Sequence, residues 1–295
     1  MKLYSPATIA EIKQRHDFRL SKSLGQNFIA DRSVIEKIVE GADIGKDDLV
    51  IEIGPGIGVL TAEAAEYAAH VTAVEIDGKL IPILAETLSE YNNIDIINCD
   101  ILKTDLNELI ETKRGEGCFT GGVKIIGNLP YYITTPIIMK ILESGVKADS
   151  ITIMMQKEVA DRIKAQPGGK IFGAISVAVQ YYCMVEQVVK VPREVFVPQP
   201  KVDSAVLKLS LRKEKPVELI DEETFFACIK GGFGQRRKTL LNSLTGVRGL
   251  FREDVREVLA DSGIDPVRRA ETLNIEEFAA VANAVAVKVS ARETK

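Results

Sequence analysis

The stretch LVIEIGPGIGVLT, residues 49–61, constrains the fold more than any other part of the chain. It begins as a short apolar run rich in β-branched residues, continues with glycines at alternate positions, and opens an alanine-rich segment that reaches about Ala69. This order predicts a strand, a tight turn and a helix. Glycines let the backbone approach a ligand closely, and the free N–H groups of the helix start face the same space. We therefore expect a small ligand on this turn.

The spacing of Gly54, Gly56 and Gly58 narrows the kind of ligand. A dinucleotide fingerprint requires G-x-G-x-x-G, whereas this turn has the spacing G-x-G-x-G. Glu75 lies 21 residues beyond Gly54, at the end of a second predicted strand, where a carboxylate can accept both hydroxyl groups of a ribose. The turn and the glutamate together predict a nucleoside without a pyrophosphate. The alternative is a structural glycine turn with a solvated glutamate.

Strand and helix patterns alternate after this turn, which predicts a parallel α/β sheet. The predicted strands are residues 49–54, 71–76, 94–98, 123–127 and 151–155, with β-rich runs at 175–189 and 203–211. The predicted helices between and after the first five strands are 78–91, 105–112, 135–144 and 156–165. From Pro216 only helical patterns occur, at 221–232, 236–245, 252–262 and 275–288. We therefore predict a sheet domain over residues 1–213 and a smaller all-helical domain over residues 214–295.

Ligands of open α/β sheets bind at the carboxyl ends of the strands. Asp100 follows the third predicted strand, where its carboxylate can accept a hydrogen bond from the amino group of a purine while Ile101 packs on the ring. A helix cap is the alternative role of Asp100. Ser21–Ile29 clusters polar residues about one aromatic ring, which is typical of a lid or ligand wall and equally of an ordinary N-terminal loop.

The fourth predicted strand ends at Asn128-Leu129-Pro130-Tyr131. Pro130 has a fixed φ and keeps Leu129 extended, so the Leu129 carbonyl is held beside the Asn128 side chain. Two acceptors and an aromatic ring suit an exocyclic amine whose base stacks on Tyr131. A simple strand-ending turn is the alternative. A stiff connection with three prolines holds Phe196, which we place at the mouth of the pocket, with core packing as the alternative.

The amino-acid composition limits the kinds of partner and cofactor that the protein can bind. The chain has 295 residues and a formal net charge of −4, so any electrostatic attraction to RNA has to come from local clusters of cations. Two clusters qualify, although solvated helix surfaces are the alternative: Arg236, Arg237 and Lys238, and Arg268 and Arg269. Two histidines and four scattered cysteines predict no metal site and a reduced, cytoplasmic protein. No apolar run approaches the roughly 18 residues of a membrane span.

These motifs together resemble the ribosomal RNA adenine N6-dimethyltransferases, and most closely the bacterial small-subunit enzymes whose loss confers kasugamycin resistance. The similarity covers nearly the whole chain, in the order Leu24–Phe28, the Gly54 turn, Val74–Asp77, Asn128–Tyr131, Gln156–Ala160, Val191–Ser204 and Phe233–Lys238. Two departures are mild. Ile29 stands where the family usually has leucine. In Phe172–Ser176, Phe-Gly and Ile-Ser stand where the family more usually has Tyr-Gly and Leu-Ser.

The resemblance implies a Rossmann-like class I methyltransferase sheet, with S-adenosylmethionine as donor and S-adenosylhomocysteine as product. The implied donor contacts are Asn27, Ile29, Gly54, Gly56, Glu75, Ile76, Asp100, Ile101 and Asn128. The implied catalytic residues are Asn128, Leu129, Pro130, Tyr131 and Phe196, with the two aromatic rings on either face of the target adenine. The implied reaction dimethylates two adjacent adenines near the 3′ end of 16S ribosomal RNA. The implied enzyme is a monomer without metal or membrane contact that acts in biogenesis of the small ribosomal subunit.

Three other functions compete with this one. A large-subunit methyltransferase of the macrolide-resistance type would share the early motifs. A non-catalytic ribosome-assembly factor would keep the fold for binding, although the intact Asn128 and Tyr131 argue against that as its only role. A nicotinamide-dependent oxidoreductase is disfavoured by the glycine spacing.

Overall fold

The computed structural model describes residues 2–17 and 26–293. Its strands are β1 (Phe28–Ile29), β2 (Leu49–Ile53), β3 (His70–Glu75), β4 (Ile94–Asn98), β5 (Val123–Asn128), β6 (Ser150–Gln156), β7 (Cys183–Val191), β8 (Phe196–Val197) and β9 (Ser204–Leu211). Its longer helices are α1 (Pro6–Arg15), α2 (Arg32–Ala42), α3 (Val59–Ala65), α4 (Ile81–Thr87), α5 (Leu106–Gly115), α6 (Thr134–Glu143), α7 (Lys157–Ile163), α8 (Ala174–Tyr182), α9 (Glu222–Gly234), α10 (Leu240–Ser243), α11 (Arg252–Asp261) and α12 (Ile275–Glu293). Residues 21–25 of the expected lid lie outside the described part of the chain.

Seven strands form one sheet in the order β4-β3-β2-β5-β6-β9-β7, and β1 pairs with β8 in a separate two-stranded sheet. The strands β4, β3, β2, β5 and β6 run parallel, and β9 is antiparallel to β6. The chain moves outward from β2 through β3 to β4 and then returns to place β5 on the other side of β2. The switch point of the sheet therefore lies between β2 and β5, where open α/β sheets bind ligands. This architecture confirms the predicted α/β fold class.

The register brings the carboxyl ends of these strands level. Ile53 pairs with Val74, Glu75 pairs with Asn98, and Asn128 pairs with Met154 of β6. The hydrogen bond from the Gly54 N–H to the Val74 carbonyl, at 2.9 Å, extends the ladder into the glycine turn. Because β2 is buried along its whole length, a shift in register would have to move apolar side chains out of the core.

The chain divides into two compact units, Met1–Ala160 with Met184–Leu211, and Asp161–Cys183 with Arg212–Lys295. The first unit contains the strands that pair around the glycine turn. In it, Asp31 caps the start of α2, since its carboxylate accepts hydrogen bonds from the N–H groups of Ser33 and Val34. No helix among the described residues is long and apolar enough to cross a bilayer.

The second unit differs from the predicted all-helical domain because it includes residues 161–183. The predicted β-rich run 175–189 is wrong in its first half, since Ala174–Tyr182 forms the helix α8. A continuous apolar run does not distinguish a buried helix from a buried strand by its periodicity, and α8 is buried at successive positions from Ser176 to Val179. The predicted helix 236–245 shortens to α10, with a turn before it.

Aromatic side chains explain why residues 161–183 pack with the second unit. Phe172 is 1% exposed, and its ring meets Phe233 edge-on at 5.9 Å between centroids. Tyr181 packs at 5.0 Å from Phe225 of α9. Both rings belong to one apolar core with side chains of α9, α11 and α12. Residues 161–183 therefore contribute to the helical core although they precede β7 in the chain.

We predict that Phe172→Ala destabilises the second unit by about 3 to 5 kcal/mol, because removal of a buried phenylalanine ring leaves a cavity. Ile171→Ala is the matched control, since its neighbouring side chain is 50% exposed. Hydrogen exchange should become faster in α9 and α12 in the first variant and stay unchanged in the control. Faster exchange in β2 and β3 with unchanged α9 and α12 would contradict the assignment of Phe172 to the helical core.

Candidate active site

An open cavity lies at the carboxyl edge of the parallel strands, and its space together with the adjoining solvent amounts to about 1090 Å³. Asp100, Glu75, Gly54 and Asn128 line it in this spatial order, because they end β4, β3, β2 and β5. The lining includes every predicted donor contact, namely Asn27, Ile29, Gly54, Gly56, Glu75, Ile76, Asp100, Ile101 and Asn128. Four of the five predicted catalytic residues also line it, namely Asn128, Leu129, Pro130 and Tyr131. The structure therefore brings together residues that are more than 100 positions apart in the sequence.

The glycine turn leaves space where a side chain would otherwise lie. Gly54, Gly56 and Gly58 have φ values of 71°, 62° and 87°, which L side chains rarely adopt. A Cβ atom built on Gly54 meets no atom within 4 Å, whereas one on Gly56 would lie 2.9 Å from the Phe28 ring. Gly54 is part of the cavity lining, so a ligand in the cavity can approach its backbone closely.

Glu75 presents a buried carboxylate to the cavity, with 5% of the residue exposed. Its Oε1 accepts a hydrogen bond from the Asp77 N–H at 2.8 Å. Burial raises the pKa of Glu75, and backbone hydrogen bonds from Asp77, Gly56 and Ile76 oppose that shift. These backbone donors hold the carboxylate in one orientation, as recognition of a pair of hydroxyl groups requires.

Asp100 is less enclosed. Its Oδ1 accepts a hydrogen bond from the Leu102 N–H at 3.0 Å, and Lys103 Nζ lies 4.0 Å from its Oδ2. Ile101, the next residue, is 8% exposed and lines the same cavity. The carboxylate can accept a hydrogen bond at the edge of a purine, and the buried aliphatic side chain can pack on its face.

The Asn128 side chain is oriented by the N-terminal segment. Its Nδ2 donates a hydrogen bond to the Asn27 carbonyl at 2.9 Å. Within the described residues, neither the Asn128 Oδ1 nor the neighbouring Leu129 carbonyl accepts a hydrogen bond. Two acceptors from consecutive residues therefore remain available at the cavity. This arrangement can hold the hydrogens of an amine.

The two predicted aromatic residues have different positions. Tyr131 is half-buried in the cavity lining, and its hydroxyl oxygen lies 2.7 Å from Ser204 Oγ. Phe196 does not line the cavity and is 3% exposed. It pairs with Ile29 through the β1–β8 ladder and packs in an apolar cluster with Ile29 and Val206. The structure thus places Phe196 behind the cavity wall, where it supports Ile29.

Glu52 is a cavity residue that the sequence analysis missed. It lies in β2 between Ile51 and Ile53, and a charged residue inside an apolar strand is a signal that could have identified it. The side chain is 1% exposed, and Thr61 Oγ1 donates a hydrogen bond to its Oε2 at 2.5 Å. Burial raises the pKa of Glu52 to about 8, and the nearby charge of Glu75 adds to the increase. Other lining residues to which the sequence analysis gave no role include Cys99 and Tyr132.

The five predicted RNA-contacting cations, all in the second unit, fall into two groups. Arg268 forms a two-pronged ion pair with Glu277, with N–O distances of 2.5 and 2.9 Å. Arg236 donates hydrogen bonds to the carbonyls of Lys170 and Phe172. Exposed side chains that make no hydrogen bond or ion pair within residues 2–17 and 26–293 form the other group, namely Arg237, Lys238 and Arg269. The first group holds the unit together, and the second is available to a ligand.

The described residues contain no group of three or more His, Cys, Asp or Glu side chains that could hold a metal ion.

We predict that stability depends on pH through Glu52. Its folded-state pKa of about 8 exceeds the ordinary value of 4.5, so its stabilising contribution is complete below about pH 4.5 and is lost as the pH rises towards 8. Glu52→Gln removes this dependence. The stability of the variant relative to the unchanged protein should therefore increase by about 1.4 kcal/mol per pH unit across that window.

Urea unfolding of the donor-free protein at several pH values measures this difference. Glu143→Gln, at an exposed position at the end of α6, is the matched control and should show no such trend. A difference between the Glu52 variant and the unchanged protein that stays constant with pH would contradict a neutral, buried carboxyl group.

Comparison with known proteins identifies the family. A model of the family described as ribosomal RNA adenine dimethylase matches residues 17–286. The chain is 50% identical over 291 residues to the ribosomal RNA small subunit methyltransferase A of Clostridioides difficile, with 99% of both chains covered. It is 53% identical over 289 residues to the protein of the same name from Alkaliphilus metalliredigens, with 97% of this chain and 99% of the relative covered.

Solved structures agree on the fold. A dimethyladenosine transferase from Plasmodium falciparum superposes with a TM-score of 0.73 at 24% identity, covering 86% of this chain and 95% of that one. The 23S rRNA methyltransferase ErmE superposes with a TM-score of 0.66 at 28% identity, covering 88% and 99%. These neighbours confirm the Rossmann-like methyltransferase sheet. The family model and the near full-length relatives show that the chain belongs to the ribosomal RNA adenine dimethylase family.

Proposed function

We propose that this protein transfers methyl groups from S-adenosylmethionine to N6 of two adjacent adenines near the 3′ end of 16S ribosomal RNA. The observation that carries the proposal is the pair of free acceptors, Asn128 Oδ1 and the Leu129 carbonyl, in the cavity that also contains Gly54 and Glu75. A nucleoside site and an amine site share one cavity. Methyl transfer to an amine requires both.

The lining residues fit S-adenosylmethionine. The carboxylate of Glu75 would accept the ribose hydroxyls, and Asp100 with Ile101 would hold the adenine of the donor. The open space over Gly54 leaves room for the chain that joins the nucleoside to the methyl-bearing sulfur. When bound, the donor supplies an activated methyl group on a positively charged sulfur. The glycine spacing of the turn provides no place for a pyrophosphate, which distinguishes this site from one that binds a nicotinamide dinucleotide.

Asn128 and Leu129 would act on the target amine. The lone pair of an adenine N6 is delocalised into the ring and attacks poorly. Acceptors that hold both N–H hydrogens out of the ring plane favour a pyramidal nitrogen whose lone pair points at the methyl group. The hydrogen bond from Asn128 Nδ2 to the Asn27 carbonyl fixes the amide for this task. Tyr131 would stack on the target base, with its hydroxyl held at Ser204.

The relatives support the small ribosomal subunit as the substrate. The near full-length relatives at 50% and 53% identity are named small subunit methyltransferases, whereas the 23S rRNA methyltransferase is 28% identical. The proposal retains a monomeric enzyme of the cytoplasm that acts in small-subunit biogenesis. It also retains Arg237, Lys238 and Arg269 as contacts to RNA phosphates.

The decisive experiment incubates the protein with undermethylated small ribosomal subunits and labelled S-adenosylmethionine, followed by nucleoside analysis. We expect N6,N6-dimethyladenosine in the small-subunit RNA. Asn128→Ala should lower the rate by roughly 10² to 10³, because one preorganised polar contact is lost, and should leave donor affinity within a small factor. Glu75→Ala should instead weaken donor binding by about 1 to 3 kcal/mol, measured by calorimetry.

These two variants control for each other, because one acts on the amine and the other on the donor. Near-normal methylation by the Asn128 variant would exclude that residue from the chemistry. Micromolar binding of NAD without binding of S-adenosylmethionine would overturn the assignment of the donor. Label in large-subunit RNA alone would favour the macrolide-resistance type of enzyme.

The salt dependence of subunit binding tests the free cations of the second unit. Each lost phosphate contact to a single strand should reduce the slope of log affinity against log salt by roughly 0.7. Replacement of Arg237, Lys238 and Arg269 by alanine should therefore reduce the slope by up to about 2, as measured by filter retention at several salt concentrations. Donor binding should be unchanged.

The matched control removes the same charge from exposed lysines that form no ion pair with any described residue, namely Lys46, Lys190 and Lys213. This control should leave the slope of log affinity against log salt nearly unchanged, although both variants lose the same net charge. Equal slopes for the two triple variants would show that Arg237, Lys238 and Arg269 are only solvated.

A further inference from the structure

Two consecutive tyrosines follow Pro130 in the turn between β5 and α6. The Ile133 N–H donates to the Pro130 carbonyl at 3.1 Å, and Thr134 Oγ1 donates to the same oxygen at 3.0 Å. These hydrogen bonds close the turn around Tyr131 and Tyr132. The backbone of both aromatic residues is therefore fixed by local bonding before any ligand binds.

The two rings have opposite environments. Tyr131 is half-buried and bonded to Ser204, whereas Tyr132 is 60% exposed. Tyr132 nevertheless lines the same cavity. Within the described residues, it makes no hydrogen bond, ion pair or aromatic contact. A single exposed aromatic ring is ordinary on a protein surface, but this one lies at the rim of the site through which a base has to enter.

An adenine whose N6 reaches Asn128 and Leu129 has to leave its stack, because these acceptors lie inside the cavity. Unstacking exposes one face of the neighbouring base to water. An aromatic side chain can replace the lost stacking partner, and such stacking contributes a sequence-tolerant part of single-strand binding. Tyr132 follows Tyr131 directly, so a ring at the rim accompanies the ring that would hold the target.

We propose that Tyr132 stacks on the base next to the target adenine and so positions the RNA strand at the mouth of the cavity. The inference rests on the proposed function and extends it to a neighbouring nucleotide outside the adenine pair, which does not react. Tyr132 is a positioning residue in this scheme. It acts on the affinity for RNA and leaves the donor and the methyl transfer step alone.

The test compares Tyr132→Ala and Tyr132→Phe with the unchanged protein on undermethylated small subunits. Tyr132→Ala should raise the KM for subunits by roughly 5- to 150-fold, the range expected for loss of one base-stacking contact, with kcat within a small factor. Tyr132→Phe keeps the ring and should retain normal KM. Calorimetry should give equal affinities for S-adenosylmethionine in all three proteins. Tyr67→Ala is the matched control, since Tyr67 is 52% exposed and does not line the cavity.

A second comparison uses subunits that keep both target adenines and carry either a purine or a pyrimidine at the flanking position outside the pair. The unchanged protein should prefer the purine, which stacks more strongly, and Tyr132→Ala should lose that preference. A normal KM for Tyr132→Ala, a weakened donor affinity, or equal losses in Tyr132→Ala and Tyr132→Phe would each overturn the stacking role. Failure of the unchanged protein to methylate any RNA would overturn the proposed function, and this inference with it.

Discussion

The parallel pairing of β3, β2 and β5 is the constraint on which the rest of the site depends. Parallel strands end at the same edge, so pairing of Ile53 with Val74 and of Glu52 with Ile126 brings the glycine turn level with Glu75 and Asn128. The polar residues at the strand ends need no long-range attraction to meet. Buried apolar side chains within the strands set the register, and the register sets the site.

Much of the fold and most of the cavity could be predicted from the sequence, because the signals are local. The strand, glycine turn and helix around Gly54 are specified by adjacent residues, and the rule that ligands bind at strand ends brings Asp100 and Asn128 to the same place. The full set of predicted donor contacts lies in the cavity lining for this reason. Their individual roles stay predictions until variants are measured.

The predictions that failed depend on tertiary packing. The apolar residues Ala174–Tyr182 satisfy a strand pattern as well as a buried helix, and the aromatic core of the second unit decides between them. Phe196 was expected at the pocket mouth; it pairs with Ile29 in the β1–β8 ladder and does not line the cavity, and its role on the adenine stays a prediction. The division of the cations also depends on distant partners, since Glu277 pairs with Arg268 while no acid in the described part of the chain pairs with Arg269. No local pattern carries that information.

The hydrogen bond between Asn128 Nδ2 and the Asn27 carbonyl has a consequence for the modularity of the fold. The sheet from β2 to β6 is the part of the chain that could be transplanted or minimised, and it contains the glycine turn, both carboxylates and Asn128 itself. It does not contain the carbonyl that sets which atom of the amide faces the cavity. A truncated core that starts at α2 would lose the orientation of its key amide together with the cavity residues Asn27 and Ile29. The N-terminal segment is thus part of the site's architecture, although it contributes only two residues to the small sheet β1–β8.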